Sequence, residues 1–330
     1  MAGTTRFAEW LARLLAGDKS ALGEALSIVE RGGAGALRLL DRLHASSGRA
    51  QVVGITGAPG SGKSTLANAL ALHFAESGRR VGVIAVDPSS PFTGGAVLGD
   101  RVRMSRASGH ERVFIRSAAT RGSLGGLART THEFARVLDA VGYDPVIIET
   151  VGVGQSEIDI WKVAHTPVII EAPGLGDAIQ TMKAGVLEIA AILCVNKADL
   201  PGADATMLQL KELAGYASAR TPGWEIPVLA AVAQSGKGVA ELAERILAHG
   251  AWTRTSDRRA QLDRARSGAE LRARLEADLV DAPLGEARTA GVLDSLIEAI
   301  AARRMTAAGA AEIVKQDFLF RLNAEVHADE

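Results

Sequence analysis

Gln51-Val52-Val53-Gly54-Ile55-Thr56-Gly57-Ala58-Pro59-Gly60-Ser61-Gly62-Lys63-Ser64 is the stretch that decides the fold. Val52–Thr56 reads as a short buried strand, and Lys63–Glu76 has the spacing of a helix. Between them lies Gly57-x4-Gly62-Lys63-Ser64. A glycine loop in that context lets backbone N–H groups face a phosphate, and the helix N-terminus adds positive partial charge. Lys63 is long enough to reach β- and γ-phosphates, and the Ser64 hydroxyl is a ligand for Mg²⁺. The candidate phosphate-binding residues are therefore Gly57, Ala58, Pro59, Gly60, Ser61, Gly62, Lys63, Ser64 and Thr65. Gly62, Lys63 and Ser64 carry the specificity, whereas Ala58, Pro59 and Ser61 occupy free positions of the pattern.

Downstream, short apolar runs alternate with helical segments. Strands are expected at Val52–Thr56, Val81–Val86, Val113–Ile115, Pro145–Glu149, Val168–Glu171, Ile192–Asn196 and Val228–Val232. The intervening helices are Lys63–Glu76, Leu124–Val141, Leu175–Ala190, Ala205–Ala219 and Val239–Leu247. Strands without polar alternation, separated by helices, point to an α/β fold with a mainly parallel doubly wound sheet. With its phosphate loop, this is a P-loop NTPase domain over residues 49–250.

Residues 1–48 read as an N-terminal helical extension. Phe7, Trp10, Leu11, Leu14 and Leu15 share one stripe. Asp18 is placed to cap a second helix carrying Leu22, Leu26 and Val29, and Gly32, Gly33 and Gly35 precede a third, Leu37–Leu43. Residues 251–330 read as a C-terminal helical arm. A long helix over 257–280 is expected to break at Pro283 and Gly285, with further apolar stripes beyond. Helices outside a sheet need a partner surface, and a second copy of the chain is favoured over the flank of the nucleotide domain.

Asn196-Lys197-Ala198-Asp199 follows the buried run Ile192–Val195 and reads as the base end of the site. Guanine offers N1–H and its 2-amino group as adjacent donors, and the Asp199 carboxylate accepts both. Adenine lacks that pair and would leave the carboxylate unmatched. Lys197 can lie along the base, and Asn196 can tie this loop to the phosphate loop. Val232-Ala233, after the last strand, supplies a further base contact through a backbone N–H. The bound nucleotide is expected to be GTP or GDP, with Mg²⁺. Mg²⁺ takes hard oxygens and few protein ligands. Ser64 and three strand-end or loop acids, Asp87, Asp100 and Glu149, are the candidates, since α/β sheets bind ligands at the carboxyl ends of strands. Asp100, Glu149 and Gln155 are alternatives for orienting the attacking water.

Bulk properties set the frame. Lys plus Arg total 37 and Asp plus Glu 38, with no block of like charge, so nothing calls for nucleic acid or an anionic membrane as partner. The N-terminus mixes Arg6, Glu9 and Arg13 among apolar residues, unlike a cleaved signal, and no apolar run is long enough to span a bilayer. A cytoplasmic protein is expected. Its one cysteine, Cys194, lies in the apolar run Ala191–Val195 and reads as core.

Two longer stretches resemble a known family. Asp87-Pro88-Ser89-Ser90-Pro91-Phe92-Thr93-Gly94-Gly95 through Leu98-Gly99-Asp100-Arg101, and Glu149-Thr150-Val151-Gly152-Val153-Gly154-Gln155-Ser156-Glu157, are similar to the signatures of the MeaB/ArgK GTPases. The resemblance covers roughly residues 10–250 and is weaker in the tail. It implies a GTPase that gates adenosylcobalamin loading and protection of an acyl-CoA mutase such as methylmalonyl-CoA mutase; since no arginine or glutamine is unambiguously placed at the γ-phosphate, turnover is expected to be slow without that partner. It also implies a homodimer made through the C-terminal helices, and it places Ser64, Asp87, Asp100 and Glu149 at Mg²⁺-associated positions. Gly174–Lys183 matches a loop that relays nucleotide state to the mutase, with Asp177, Gln180 and Lys183 as its polar residues; Lys183 could also complement phosphate charge. Ala178-Ile179, Ala190-Ala191 and Ala231-Val232 depart from the family's pattern, which could mean a different mutase partner.

Two other readings compete. A metal-insertion GTPase of the nickel-delivery kind needs Cys/His clusters, and the seven histidines (44, 73, 110, 132, 165, 249 and 327) are not paired at ligand spacing. A kinase or ATPase serving basic amino-acid transport is disfavoured by Asn196–Asp199.

Overall fold

The computed structural model describes residues 2–87, 105–119, 124–150, 160, 163–175, 189–218 and 223–328. All seven expected strands form, as β1 (Val52–Gly57), β2 (Val81–Asp87), β3 (Val113–Ala119), β4 (Val146–Thr150), β5 (Thr166–Glu171), β6 (Ile192–Val195) and β7 (Val228–Ala230). They make one sheet in the order β3-β2-β4-β1-β5-β6-β7, every neighbouring pair parallel. The strand carrying the phosphate loop is therefore central, with β4 on one side and β5 on the other.

Burial on both faces explains the unbroken apolar runs, because successive side chains alternate across the sheet. Val53, Ile55, Ile147, Val168 and Ile170 enter one core with Leu66, Leu70 and Phe74 of α4 (Lys63–Glu76). Leu242 and Ile246, on a helix over Val239–Thr255, complete that layer. On the other face, Val52, Val146 and Ile148 pack with Phe134 and Leu138 of a helix over Leu124–Ala140. Leu210 and Ala214 of the helix Ala203–Ser218 cover Ile169, Leu193 and Val195.

The N-terminal helices are α1 (Ala2–Leu15), α2 (Lys19–Arg31) and α3 (Gly33–His44). Leu22, Leu26, Val29, Leu39 and Leu43 join the same core as Val146 and Ile148, so this segment forms an outer layer over the sheet. Asp18 caps α2 by accepting from the N–H groups of Ser20 (2.8 Å) and Ala21 (3.0 Å). The backbone bond from Ala21, then Arg13, holds its carboxyl below the usual range. The third helix starts at Gly33, earlier than the apolar residues alone predict.

After the phosphate-loop helix come α5 (Ser105–Ser108), α6 (Leu124–Ala140), α7 (Ala203–Ser218), α8 (Val239–Thr255) and α9 (Arg258–Glu276). The expected helix Leu175–Ala190 lies mostly outside the described residues. Two compact units divide the chain, residues 1–270 and residues 271–330. In the second, the helix does not break at Pro283 and Gly285. A π-helical turn, Ala277–Asp281, leads directly into α10 (Ala282–Thr289), with Pro283 in its first turn and Gly285 inside it. The widened turn, closed by Ala282 N–H to Ala277 O, takes up the register where the proline withholds an N–H. Two more helices, α11 (Val292–Ala301) and α12 (Ala307–Ala328), complete this unit. No helix among the described residues is long and apolar enough to cross a membrane.

Cys194 sits in β6, fully buried, and burial pushes its thiol up to about 12. A polar seam lies where the strands begin. Gln51 Nε2 donates to Thr166 Oγ1 (2.9 Å) and Ile246 O (2.6 Å), and Thr166 Oγ1 is bonded to His249 Nδ1 (2.9 Å). Val52 N–H donates to His165 Nδ1 at 2.9 Å. Burial lowers His249 to about 4 and His132 to about 3, and pulls His165 well below its ordinary value; neighbouring arginines add to each.

These imidazoles stay neutral in the folded chain while the unfolded chain takes up protons below about pH 6.5. Stability is therefore fully present above that pH and is lost as pH falls toward 4. Urea unfolding of His249→Asn should show a flatter decline between pH 6.5 and 5, by about 1 kcal/mol per pH unit. An unchanged slope would count against a neutral buried His249.

Candidate functional site

The chain leaves β1 at Gly57 and enters α4 at Lys63, so the glycine loop spans the carboxyl end of the central strand. Two glycines there have no substitute. Gly57 has φ 142°, and a Cβ on it would collide with the Ile170 carbonyl of β5. Gly62 has φ 88° and abuts the Asn196 side-chain amide. Lys63 is buried, and its ammonium donates to the carbonyls of Gly57 (2.7 Å) and Ala58 (3.0 Å) at the loop's own rim. Pro59, Gly60 and Thr65 are exposed, and Ser61 is buried.

Ser64 Oγ donates to Glu149 Oε1. Parallel pairing of β1 with β4 sets Ile55 opposite Glu149, which brings that buried carboxylate beside the loop. Asp87 ends β2, the other neighbour of β4, where Ala85 lies opposite Glu149. The Ser64 hydroxyl and the Glu149 carboxylate that meet here are hard oxygen donors, the kind Mg²⁺ takes.

Asn196 joins three segments. Its Nδ2 donates to Ser61 O at 2.8 Å, and its Oδ1 accepts from Ala233 N–H at 3.1 Å. Its own N–H donates to Glu171 O at 2.8 Å, and Ala198 N–H to Ala231 O at 3.0 Å. Between them Lys197 is held at φ 55°, a left-handed conformation that costs a non-glycine residue about 1 kcal/mol. Lys197 and Asp199 are exposed. Val232 and Ala233 follow β7, where Val232 pairs back to Lys237 in an antiparallel bridge, so the strand ends two residues earlier than expected.

The structure thus brings together Gly57–Ser64, Glu149, Asn196 and Ala233; Lys197 and Asp199 follow Asn196 in its loop, and Val232 precedes Ala233. Asp100, Gln155, Asp177, Gln180 and Lys183 lie outside the described residues, as does the Asp87 side chain.

One acid was missed. Glu171 ends β5, is buried, and takes the Asn196 N–H on its carbonyl. The sequence carried the signal: Val-Ile-Ile-Glu occurs at 146–149 and again at 168–171, on the strands either side of β1.

Removing the Asn196 amide should loosen both the phosphate loop and the Ala233 loop. Asn196→Ala is expected to weaken GDP and GTP binding by about ten- to a hundredfold, the size of two lost buried hydrogen bonds. Titration with a fluorescent guanine nucleotide checks this, and an unchanged affinity would contradict it.

Comparison with known proteins agrees with this geometry. The family model described as methylmalonyl Co-A mutase-associated GTPase MeaB matches residues 22–288. A protein of Pyrococcus horikoshii named as a GTPase is 46% identical over 283 residues, 84% of this chain and 89% of that one. The mitochondrial methylmalonic aciduria type A homolog of Mus musculus is 35% identical over 249 residues, 69% of this chain and 59% of that one. A crystal structure of an LAO/AO transport system kinase superposes with a TM-score of 0.70 at 25% identity, covering 94% of this chain and 97% of that one. The chain belongs to the MeaB family of methylmalonyl-CoA mutase-associated GTPases.

Proposed function

We propose that the chain binds and hydrolyses GTP with Mg²⁺, and that its nucleotide state gates the loading and protection of an adenosylcobalamin-dependent acyl-CoA mutase. The observation that carries this reading is the Asn196 amide, which couples a guanine-type loop to the phosphate loop within one hydrogen-bonded unit. Gly57–Thr65 cradle the phosphates, Lys63 turns from the loop carbonyls to the phosphate oxygens, and Asp199 reads the base. Ser64, Glu149, Asp87 and Asp100 would hold the metal, which would neutralise phosphate charge. Glu149, Asp100 or Gln155 orients the water, and the segment with Asp177, Gln180 and Lys183 passes the outcome to the mutase.

The C-terminal segment serves as a homodimerisation arm. Leu271, Leu279, Ile297 and Phe320 are large apolar side chains left more than half exposed, the chemistry of a subunit interface. The cofactor stays on the mutase. The transport-kinase alternative takes support from the name of the solved neighbour and predicts ATP preference instead.

Hydrolysis should be slow alone and rise with the cognate mutase. Lys63→Ala should lower the stimulated rate by about a hundredfold or more, the cost of one lost transition-state donor. The test is GTP turnover, with ATP as competitor, alone and with each acyl-CoA mutase of the same genome, tracking adenosylcobalamin transfer in parallel. Stimulation and nucleotide-controlled transfer by one mutase establish the reading; turnover indifferent to all of them overturns it.

A further inference from the structure

Where β5 and β6 begin, at the opposite end of the sheet from the phosphate loop, a cavity of about 110 Å³ is lined from the last turns of α8 and the first turns of α9. Much of its wall is apolar, from Ala164, Pro167, Ile189, Ala191 and Leu262. Trp224, His249 and Trp252 add a triangle of rings, with centroids 4.8, 5.4 and 5.6 Å apart.

Some polar groups on this wall are already used. Trp224 Nε1 donates to Ala191 O at 2.8 Å. His165 takes the Val52 N–H on Nδ1 and bonds Asp263 through Nε2. His249 is different, and its proton can be placed. Gln51 Nε2 donates to Ile246 O, which settles which end of that amide is nitrogen, and also to Thr166 Oγ1. Thr166 is fully buried, so its hydroxyl proton needs an acceptor, and His249 Nδ1 at 2.9 Å is the one its contacts offer. Burial and then Arg258 bring His249 to about 4, so at neutral pH the ring holds a single proton, on Nε2.

Three donors therefore face this space without an acceptor among the described residues: His249 Nε2, Trp252 Nε1 and the Arg258 guanidinium. Arg258 is exposed and marks the mouth, and it forms no ion pair among the described residues. No carboxylate is among the described residues that line the cavity; Asp257 precedes Arg258 in the chain but does not line it.

We propose that this cavity binds a small aromatic monocarboxylate, its ring against the Trp224 and Trp252 indoles and its carboxylate at the mouth on Arg258. Indole faces suit another ring in edge or offset contact. They also suit a cation, which Arg258 repels. A cavity of about 150 Å³ is known to hold benzene, and a space somewhat smaller but open at one side admits a ring whose carboxylate stays at the opening. The His249 and Trp252 N–H groups supply further donors to the carboxylate. Bound there, the ligand ties the starts of β5 and β6 to the first turn of α9.

The test uses the full chain without nucleotide, labelled with ¹⁵N-tryptophan. Benzoate, benzamide and acetate are titrated separately while the indole N–H resonances are followed, with Trp252→Phe identifying that of Trp252. Benzoate is expected to bind saturably and to move the Trp252 resonance. The Trp10 resonance should stay in place, because its N–H is bonded to Glu24 at 2.7 Å. Benzamide keeps the ring without the charge and acetate the charge without the ring, and each should bind about tenfold more weakly or worse. Arg258→Gln, at an exposed position, should weaken benzoate binding by about tenfold, the size of one charge-assisted hydrogen bond. No saturable binding of benzoate, an unmoved Trp252 resonance, benzamide or acetate as tight as benzoate, or full affinity in Arg258→Gln would overturn the proposal.

Discussion

The buried carboxamide of Asn196 is the interaction on which the site depends. Its two ends are spent on opposite neighbours, the phosphate-loop carbonyl of Ser61 and the N–H of Ala233. A side chain that donates to one loop and accepts from another fixes the distance between them. The loop after β6 is then strained at Lys197, and the bonds from Asn196 N–H to Glu171 and from Ala198 N–H to Ala231 hold that strain in place. The loop after β6, the glycine loop and the loop after β7 are thereby joined in one hydrogen-bonded unit.

Much of this was legible in the sequence because the signals are local. Val52–Thr56 before a glycine loop and Lys63–Glu76 after it specify a strand–loop–helix unit with no help from elsewhere. The other strands announced themselves by the same rule, since a strand covered on both faces has no reason for polar residues. Glu149 stands at a strand end, and parallel pairing of β4 with β1 brings it to Ser64. Glu171 obeys the same rule on the opposite neighbour of β1, and Gly174 follows it at the spacing that Gly152 keeps from Glu149.

What the sequence hid depends on contacts far apart in the chain. His132, His165 and His249 look scattered, yet the fold gathers them along the strand-start end of the sheet, where no spacing rule reaches. The Arg-rich start of α9 reads as a solvated face. In the structure, part of it lies against α6, and Arg266 is mostly buried. Pro283 was misread for a different reason. Proline forbids one hydrogen bond, and a π turn can absorb that loss without ending the helix. β5 spans both ends of this arrangement, from Thr166 in the polar seam to Glu171 beside Asn196.

The chain's single thiol belongs to β6, between β5 and β7, with no access to solvent. Thiolate chemistry there requires the sheet to part, since a buried neutral thiol is neither nucleophilic nor oxidisable. Cys194 is therefore a silent clock for opening events. The rate at which it reacts with an alkylating reagent counts the moments when the strand leading to Asn196 comes away from its neighbours.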